Sequence, residues 1–283
     1  MRMRKKKSLL RKIIRAIFLT GVAVALIHIV HGLTLDRIIQ YVEVDFSSPN
    51  ISAELDGYRI AFLTDTHDIS EERLGAIVRE LNERGTDLLL LGGDYSSRYS
   101  ADRSETTQRT MRVLSGVRTT DGAFGVAGNH DTRVPLYSYM EASGITPLSN
   151  SGLHLREGFF LAGAQDLMTG RPDIAAATAG AHPGDFVLLV SHNPDLSMRQ
   201  DTTGVDLILS GHTHSGQVTL FGLWAPALTP TRVFTVYGQR FMSGWAYSRD
   251  GTPVFTSNGT GEYLPRVFAR PQVVVVTLRY GAG

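Results

Sequence analysis

The sequence predicts an α/β fold in which short buried strands alternate with helices. Six short apolar runs end abruptly at glycine and polar residues, which is typical of strands buried on both faces of a sheet. Helix-like segments lie between several of these runs, and the alternation of strand and helix indicates an α/β arrangement. A chain of 283 residues is long enough to bury the core of such a domain.

Residues 1–34 differ in composition from the rest of the chain. Eight cations and no acid lie in residues 1–15, and the eighteen residues of Ala16–Leu33 carry no formal charge. This run is just long enough for a membrane helix, which needs about 20 residues. We therefore expect residues 1–34 to be a basic leader and a single membrane anchor. A cleaved or exported leader and a helix that lies along the membrane surface are the alternatives.

The charge distribution bears on partners and on the side of the membrane. Eight of the 28 basic residues lie in the leader, so the body holds 20 against 27 acidic residues, a net charge of −7. Such a body is a poor match for nucleic acid, so no nucleic-acid partner is expected. A spanning helix with this charge bias predicts a body outside the cytoplasm, whereas a helix that only enters the leaflet leaves it inside. The chain has no cysteine, which excludes disulfides and thiolate zinc sites.

The strands are predicted from their patterns in chain order. Tyr41–Phe46 alternates apolar and polar residues, which indicates a half-exposed strand. The six apolar runs predict strands at Arg59–Leu63, Leu88–Leu91, Ala123–Ala127, Phe159–Ala162, Phe186–Val190 and Leu207–Leu209. Two further strands are predicted in the C-terminal third, at Tyr247–Thr256 and Val273–Leu278.

Helices are predicted where apolar residues recur at helical spacing. Glu71–Arg84 repeats them at i, i+3, i+4 and i+7, and Thr106–Leu114 does so more weakly. No linker rich in proline, serine or glycine divides the chain after the leader. Residues 35–283 are therefore expected to form one domain.

Side chains that can bind metals follow the ends of the predicted strands: Asp65, His67, Asp94, Asn129, His130, His192, His212 and His214. In α/β folds, ligands bind beyond the carboxyl ends of strands. Residues two apart at a strand end point the same way, so Asp65 with His67, and His212 with His214, can each face one centre. Imidazole, carboxylate and amide oxygen suit a borderline or hard divalent metal such as Mn, Fe, Zn or Co.

The number of these donors exceeds the four of a tetrahedral zinc site and suits a pair of metals. His28 and His31 lie in the predicted anchor, outside this set. His154 and His182 are interpreted as ordinary hydrogen-bonded residues.

Five short blocks of the sequence resemble the signature blocks of the calcineurin-like metallophosphoesterase superfamily, in that family's order: Asp65-x-His67, Gly93-Asp94, Gly128-Asn129-His130-Asp131, His192 and Gly211-His212-x-His214. The resemblance extends from about Leu55 to about Leu278. It implies a four-layered α/β/β/α sandwich of two mixed sheets flanked by helices. It also implies a site for two divalent metal ions, with manganese favoured.

Carried over residue by residue, the resemblance implies a role for each donor. The first metal would be held by Asp65, His67 and His214, the second by Asn129, His192 and His212, and Asp94 would bridge them. His130 would contact the scissile phosphate and protonate the leaving oxygen, steadied by Asp131. The implied activity is hydrolysis of a phosphodiester or pyrophosphate bond. A phosphomonoesterase or nucleotidase of the cell envelope and a non-catalytic metal-binding scaffold are the alternatives.

A narrower resemblance concerns a membrane-associated bacterial branch of the family. The leader, Tyr41–Phe46, Gly211–Gln217 and Thr256–Arg266 are similar to that branch, which includes a UDP-2,3-diacylglucosamine pyrophosphatase of lipid A synthesis. The chain departs from the branch at Ser215 and at Asn258, where glycine and arginine are common. This resemblance implies a lipid-linked phosphoester substrate and a place at the bacterial cell membrane.

An apolar segment, Phe221–Leu228, follows the last histidine block directly. It is predicted to be a loop near the mouth of the metal site. We hypothesise that Trp224 contacts lipid, because tryptophan and aliphatic side chains suit the membrane interface. The alternative is a loop that packs on the core.

Overall fold

The computed structural model describes residues 2–229, 235–261 and 265–281, with side chains from residue 9 onward. Leu264 of the segment resembling the membrane-associated branch, and the side chains of Arg2, Arg4, Lys5, Lys6 and Lys7, therefore lie outside the described part. Within it, the first sheet has the strand order β1 (Gln40–Ser47), β12 (Gln272–Arg279), β2 (Arg59–Leu63), β3 (Leu88–Leu91), β4 (Ala123–Gly125) and β5 (Ile145–Pro147). The second has the order β10 (Gly244–Tyr247), β11 (Pro253–Thr256), β9 (Leu207–Ser210), β8 (Phe186–Val190), β7 (Phe159–Gly163) and β6 (Ser151–Arg156).

The described α-helices are α1 (Arg2–Leu33), α2 (Glu71–Arg84), α3 (Arg103–Leu114), α4 (Leu136–Ala142) and α5 (Ile174–Thr178). α2, α3 and α4 pack on the outer face of the first sheet, and α5 packs on the outer face of the second. The inner faces of the two sheets share one apolar core. The predicted four-layered sandwich is therefore confirmed.

β2 illustrates how the sequence forms these layers. Because side chains alternate along a strand, Ile60 and Phe62 lie in the core between the sheets, whereas Ala61 and Leu63 pack with the helices. All four side chains are fully buried. Burial on both faces explains why the strand is a continuous apolar run in the sequence.

α2 has the predicted bounds and suitable residues at both ends. The hydroxyl of Ser70 accepts a hydrogen bond from the backbone N–H of Arg73, which caps the first turn. Gly85 follows the last turn with a φ of 76°, a conformation that glycine adopts without strain. The predicted apolar stripe is buried, including Leu74, Ile77 and Leu81.

α1 is longer than the predicted apolar segment, because it also includes the basic residues that precede it. Lysine and arginine are good helix formers, so the helix continues through them. In the described part of the chain, one helical segment is long and apolar enough to cross a membrane, Leu9–Arg37. Its apolar portion is not buried against the protein, which distinguishes it from the core helix of a globular domain.

The prediction of one strand over Tyr247–Thr256 is wrong. β10 ends at Tyr247, β11 begins at Pro253, and the two pair antiparallel as a hairpin. The Ser248 hydroxyl accepts hydrogen bonds from the backbone N–H groups of Asp250 and Thr252 inside the intervening turn. Such bonds from a serine side chain to nearby backbone favour a turn over an extended strand.

Candidate metal centre

The predicted donors come together between the two sheets, at the carboxyl ends of five strands. β2, β3 and β4 of the first sheet and β8 and β9 of the second are parallel to their neighbours, so their ends reach a common rim. The residues that follow these strands include Asp65, His67, Asp94, Asn129, His130, His192, His212 and His214. Neither sheet alone carries the whole set, so the centre depends on the packing of the two.

The first group of donors consists of Asp65, His67 and His214, all buried. The Nε2 atoms of the two histidines are 3.0 Å apart, and His214 Nε2 is 3.2 Å from Asp65 Oδ1. These three side chains are the ones assigned above to the first metal.

The second group consists of Asp94, His192 and His212, also buried. His192 Nε2 is 3.3 Å from Asp94 Oδ2 and 3.2 Å from both His212 Nδ1 and Asn129 Oδ1. Asp94 Oδ2 is also 3.9 Å from His67 Nε2 of the first group. Asp94 therefore lies between the two groups, as a bridging carboxylate requires.

Hydrogen bonds orient the donor atoms toward the centre. His192 Nδ1 donates to the carbonyl oxygen of Gly92 at 2.8 Å, which leaves Nε2 as the metal-binding nitrogen. Asp65 Oδ2 accepts from the Thr64 hydroxyl and from the backbone N–H of His212. Asp65 Oδ1 is buried without a hydrogen-bond partner. A buried carboxylate oxygen left unpaired is costly, and a divalent ion would satisfy it, so the residues present fit the predicted metals.

The protonation states of the donors reflect burial and mutual charge. Burial lowers the pKa of the His67 and His212 rings to about 4, so both are neutral near pH 7, the form that binds metals. Burial alone would raise the pKa of Asp65, but His214 and the neighbouring histidines hold it well below its usual value. For Asp94, burial is likewise outweighed by His192, so its pKa is also lowered. Both carboxyl groups are therefore ionised and able to bind cations.

The backbone at the centre is strained. Five of the donor residues have a positive φ: Asp65 (51°), His67 (31°), Asp94 (58°), His212 (70°) and His214 (50°). Each such residue costs about 1–3 kcal/mol. Backbone hydrogen bonds hold the conformation, including Asp65 N–H to the Gly93 carbonyl at 2.8 Å. Strain of this kind concentrates at functional sites.

Two glycines allow the acidic side chains to approach the neighbouring loops. A Cβ atom at Gly128 would collide with Asp94 Oδ1, and one at Gly211 would collide with Asp65 Oδ2. Glycine before Asn129 and before His212 is therefore a steric requirement of the centre.

Comparison with known proteins agrees with this geometry. The family model described as calcineurin-like phosphoesterase matches residues 58–216, more than half of the chain. The metallophosphoesterase YkuE of Bacillus subtilis (strain 168) is 31% identical over 260 residues, which cover 86% of each chain. The chain belongs to the calcineurin-like phosphoesterase family. The prediction of a metal-dependent phosphoester hydrolase is thereby confirmed.

Two further relatives of this phosphoesterase have informative names. The phosphodiesterase YaeI of Escherichia coli (strain K12) is 29% identical over 234 residues, which cover 78% of this chain and 82% of YaeI. A transmembrane protein with metallophosphoesterase domain from Danio rerio is 26% identical over 263 residues, which cover 84% of this chain. The chain spans 57% of the length of that relative.

His130 and Asp131 occupy different positions in the phosphoesterase. The His130 side chain is 28% exposed, and its Nε2 is 3.9 Å from Asp94 Oδ2, so it faces the open side of the centre. Asp131 is buried, and its oxygens accept hydrogen bonds from the backbone N–H groups of Asp94, Tyr95 and Gly128. Burial, together with the charge of Asp94, raises the pKa of Asp131 to about 7.

The expectation that Asp131 steadies the His130 ring is revised accordingly. In the described part of the chain, no hydrogen bond joins the Asp131 carboxylate to that ring, because both oxygens are engaged by loop backbone. Asp131 instead joins the loop after β3 to the loop after β4. It acts on the bridging carboxylate through the backbone of Asp94.

A groove of about 540 Å³ lies beside the centre, and the sequence analysis did not predict it. Its lining includes Gly128 and Asp131 from the loop after β4, the apolar residues Val134 and Leu136, and Asp166 from the loop after β7. Asp166 is buried with Oδ1 unpaired. Its position at another strand end was the available signal for it.

A third group of potential metal ligands, His154, His182 and Asp185, lies away from the centre. Asp185 Oδ2 already accepts hydrogen bonds from His154 Nε2 at 2.8 Å and from the backbone N–H of His182 at 2.6 Å. The His182 side chain is exposed. The contacts of His154 and Asp185 are those of ordinary hydrogen-bonded residues.

Proposed function

We propose that the chain hydrolyses a phosphodiester or pyrophosphate bond in a lipid-linked substrate, such as UDP-2,3-diacylglucosamine, at the bacterial cell membrane. Residues 1–34 serve as leader and anchor, and residues 35–283 serve as the catalytic domain. One observation carries the hydrolytic proposal: Asp94 Oδ2 lies between two buried donor groups, within 3.3 Å of His192 Nε2 and 3.9 Å of His67 Nε2. A carboxylate between two sets of metal donors is the arrangement that in-line phosphoester hydrolysis uses.

Each donor has a place in this proposal. Asp65, His67 and His214 hold one metal, Asn129, His192 and His212 hold the other, and Asp94 binds both. When bound, the two ions neutralise phosphate oxygens and activate water for attack. Manganese is the metal we propose, since carboxylate, amide and imidazole ligands all suit it.

His130 provides the leaving-group proton in this proposal. Its backbone N–H donates to Asp94 Oδ1 at 2.8 Å, which places the ring beside the bridging carboxylate. The ring is partly exposed, so its Nε2 can reach the leaving oxygen of a substrate that enters from the open side. A proton donated at this point promotes cleavage, because the departing alkoxide is a poor leaving group.

The groove favours a diester over a monoester. None of the residues that line this part of the described surface is a lysine or arginine. A phosphomonoester carries a charge of about −1.5 to −2 near pH 7, whereas a diester carries a single charge and a second organic group. The groove gives that second group a partly apolar place next to Gly128.

The membrane part of the proposal is supported by α1. The segment Leu9–Arg37 is long and apolar enough to span, and its apolar part is not buried in the protein. The name of the Danio rerio relative also refers to a transmembrane protein. A substrate held in the bilayer would be accessible to a domain tethered in this way.

The activity is tested with the purified full chain, supplied with Mn²⁺ and either bis-p-nitrophenyl phosphate or p-nitrophenyl phosphate. We expect faster turnover of the diester, loss of turnover with EDTA and recovery when Mn²⁺ is restored. Faster turnover of the monoester would instead favour the envelope phosphomonoesterase or nucleotidase. No turnover of either compound by metal-loaded protein would favour the non-catalytic scaffold.

A further inference from the structure

Exposed apolar side chains gather in one loop after the metal centre. Within the segment Val218–Trp224, which we call the apolar loop, the exposed apolar residues are Val218, Leu220, Phe221, Leu223 and Trp224. Leu223 is 81% exposed and Trp224 is 44% exposed. The next apolar residues, Ala225 and Leu228, are buried and attach the base of the loop to the core. The loop therefore presents its apolar tip outward, and a patch of this kind marks an interaction surface.

The last turns of α1 pack against this loop. The His28 ring lies 4.5 Å from the ring of Phe221 and 4.9 Å from that of Phe268, between centroids, and His31 stacks on Phe268 at 3.8 Å. Gly32 lies close to the backbone of Arg266, where an added Cβ would be 3.0 Å from its carbonyl oxygen. The apolar helix and the apolar loop therefore form one continuous surface.

A buried carboxylate holds the two segments together. Asp36, just after α1, accepts hydrogen bonds from the backbone N–H groups of Phe268 and Ala269. It also pairs with His31 Nδ1 at 2.7 Å. The end of α1 is thus attached to the domain at a defined position rather than through a flexible linker.

The contact with His28 sets the depth of the loop. His28 lies five residues before Leu33, the last residue of α1, and a helix rises 1.5 Å per residue. Phe221 therefore lies roughly 7 Å along the helix from its end, on the side of the apolar segment. Interfacial apolar groups typically enter a bilayer by about 5–10 Å, and aromatic side chains are enriched at that level.

Basic side chains lie just beyond this surface. Arg73 Nη2 donates to the carbonyl oxygen of Arg37 at 2.8 Å, and the Arg270 guanidinium donates to the carbonyl oxygen of Ile38 at 3.3 Å. Three guanidinium groups are therefore attached near the chain that leaves α1. Cations at this level suit the phosphates of lipid headgroups.

From these contacts we propose that the apolar loop and the last turns of α1 form a membrane-docking face whose partner is the lipid bilayer. The bilayer accommodates the apolar tip at its headgroup boundary, and the arginines meet the headgroups. The loop begins four residues after His214, so docking directs the rim of the metal centre toward the membrane surface. This proposal concerns the orientation of the domain and does not depend on the hydrolytic activity.

The two tryptophans of the chain provide the test. Trp224 lies in the loop, whereas Trp245 lies on β10 and stacks on Phe46 at 5.8 Å. Phe46 is six residues along β1 from Gln40, which corresponds to roughly 20 Å of extended chain away from the α1 end. The variants Trp245→Phe and Trp224→Phe each leave a single tryptophan and keep an aromatic ring at the altered position.

Each full-chain variant is reconstituted into vesicles of phosphatidylcholine and phosphatidylglycerol, with or without brominated acyl chains. We expect bromine to quench Trp224, in Trp245→Phe, at least about twofold more than Trp245, in Trp224→Phe, because only Trp224 lies at the acyl boundary. Quenching of Trp224 no stronger than that of Trp245 would overturn the proposal. Adding Leu223→Asp to Trp245→Phe should weaken the quenching, whereas adding Tyr280→Asp, at the opposite end of β12, should leave it unchanged. Equal effects of the two aspartates would also overturn it.

Discussion

Replacing Asp94 with asparagine is expected to lower kcat/KM for bis-p-nitrophenyl phosphate by roughly 10³-fold. The substitution keeps the oxygen that accepts the backbone N–H of His130 at 2.8 Å, so the loop can keep its position. It removes the negative charge beside His192 and His67 and places an amide between two cations. Metals supply several kcal/mol of transition-state stabilisation, and a loss of about 4 kcal/mol corresponds to this factor. The measurement is steady-state kinetics over a titration of Mn²⁺.

Asp45→Asn is the matched control for this substitution. Asp45 is an exposed carboxylate on β1 that pairs with Arg279 at 2.9 Å, far from the centre along the same sheet. Its activity is expected to equal that of the wild type, because exposed ion pairs contribute little. Activity of Asp94→Asn equal to that of Asp45→Asn would show that Asp94 is not the bridging residue.

Replacing His130 with alanine is expected to lower kcat by about 10²–10⁴-fold without changing the metal content, because general acid catalysis contributes this much. His130 belongs to neither buried donor group, so the metals should remain bound. The loss should be greater for a diester with an alkyl leaving group than for one with a p-nitrophenyl leaving group. An alkoxide needs a proton to depart, whereas p-nitrophenolate departs readily without one. The measurement compares both substrates and determines bound metal by elemental analysis.

His182→Ala removes an exposed histidine away from the centre and should change neither quantity. If His130→Ala lost metal, His130 would be a ligand rather than a proton donor. If it slowed both substrates by the same factor, the ring would bind the phosphate without protonating the leaving oxygen.

The buried strands were predictable because their burial is visible in the sequence. β2, β3 and β8 have the predicted bounds, since residues buried on both faces form continuous apolar runs. β5 and α5 were not predicted, because three and five residues are too few for a periodic pattern. β6, at a sheet edge, alternates partly buried and exposed residues without a strong apolar signal. These elements owe their conformation to packing against the rest of the domain rather than to local sequence.

The donor side chains of the centre were predictable because they follow those same strands. The sequence could not show that Asp65, Asp94 and His212 adopt a positive φ, since aspartate and histidine rarely do so without support from surrounding structure. It also could not show that Asp131 is held by three backbone N–H groups. Those bonds join loops that are 34 or more residues apart in the sequence, and only the folded arrangement reveals them.

The central claim is that the two buried groups each hold a divalent ion on either side of Asp94. It is tested most directly by crystals of the protein grown with Mn²⁺, with diffraction data collected at the manganese absorption edge. The account predicts two anomalous peaks about 3.5–4 Å apart, one near Asp65, His67 and His214 and the other near Asn129, His192 and His212. A single peak, or peaks that do not contact Asp94, would contradict it.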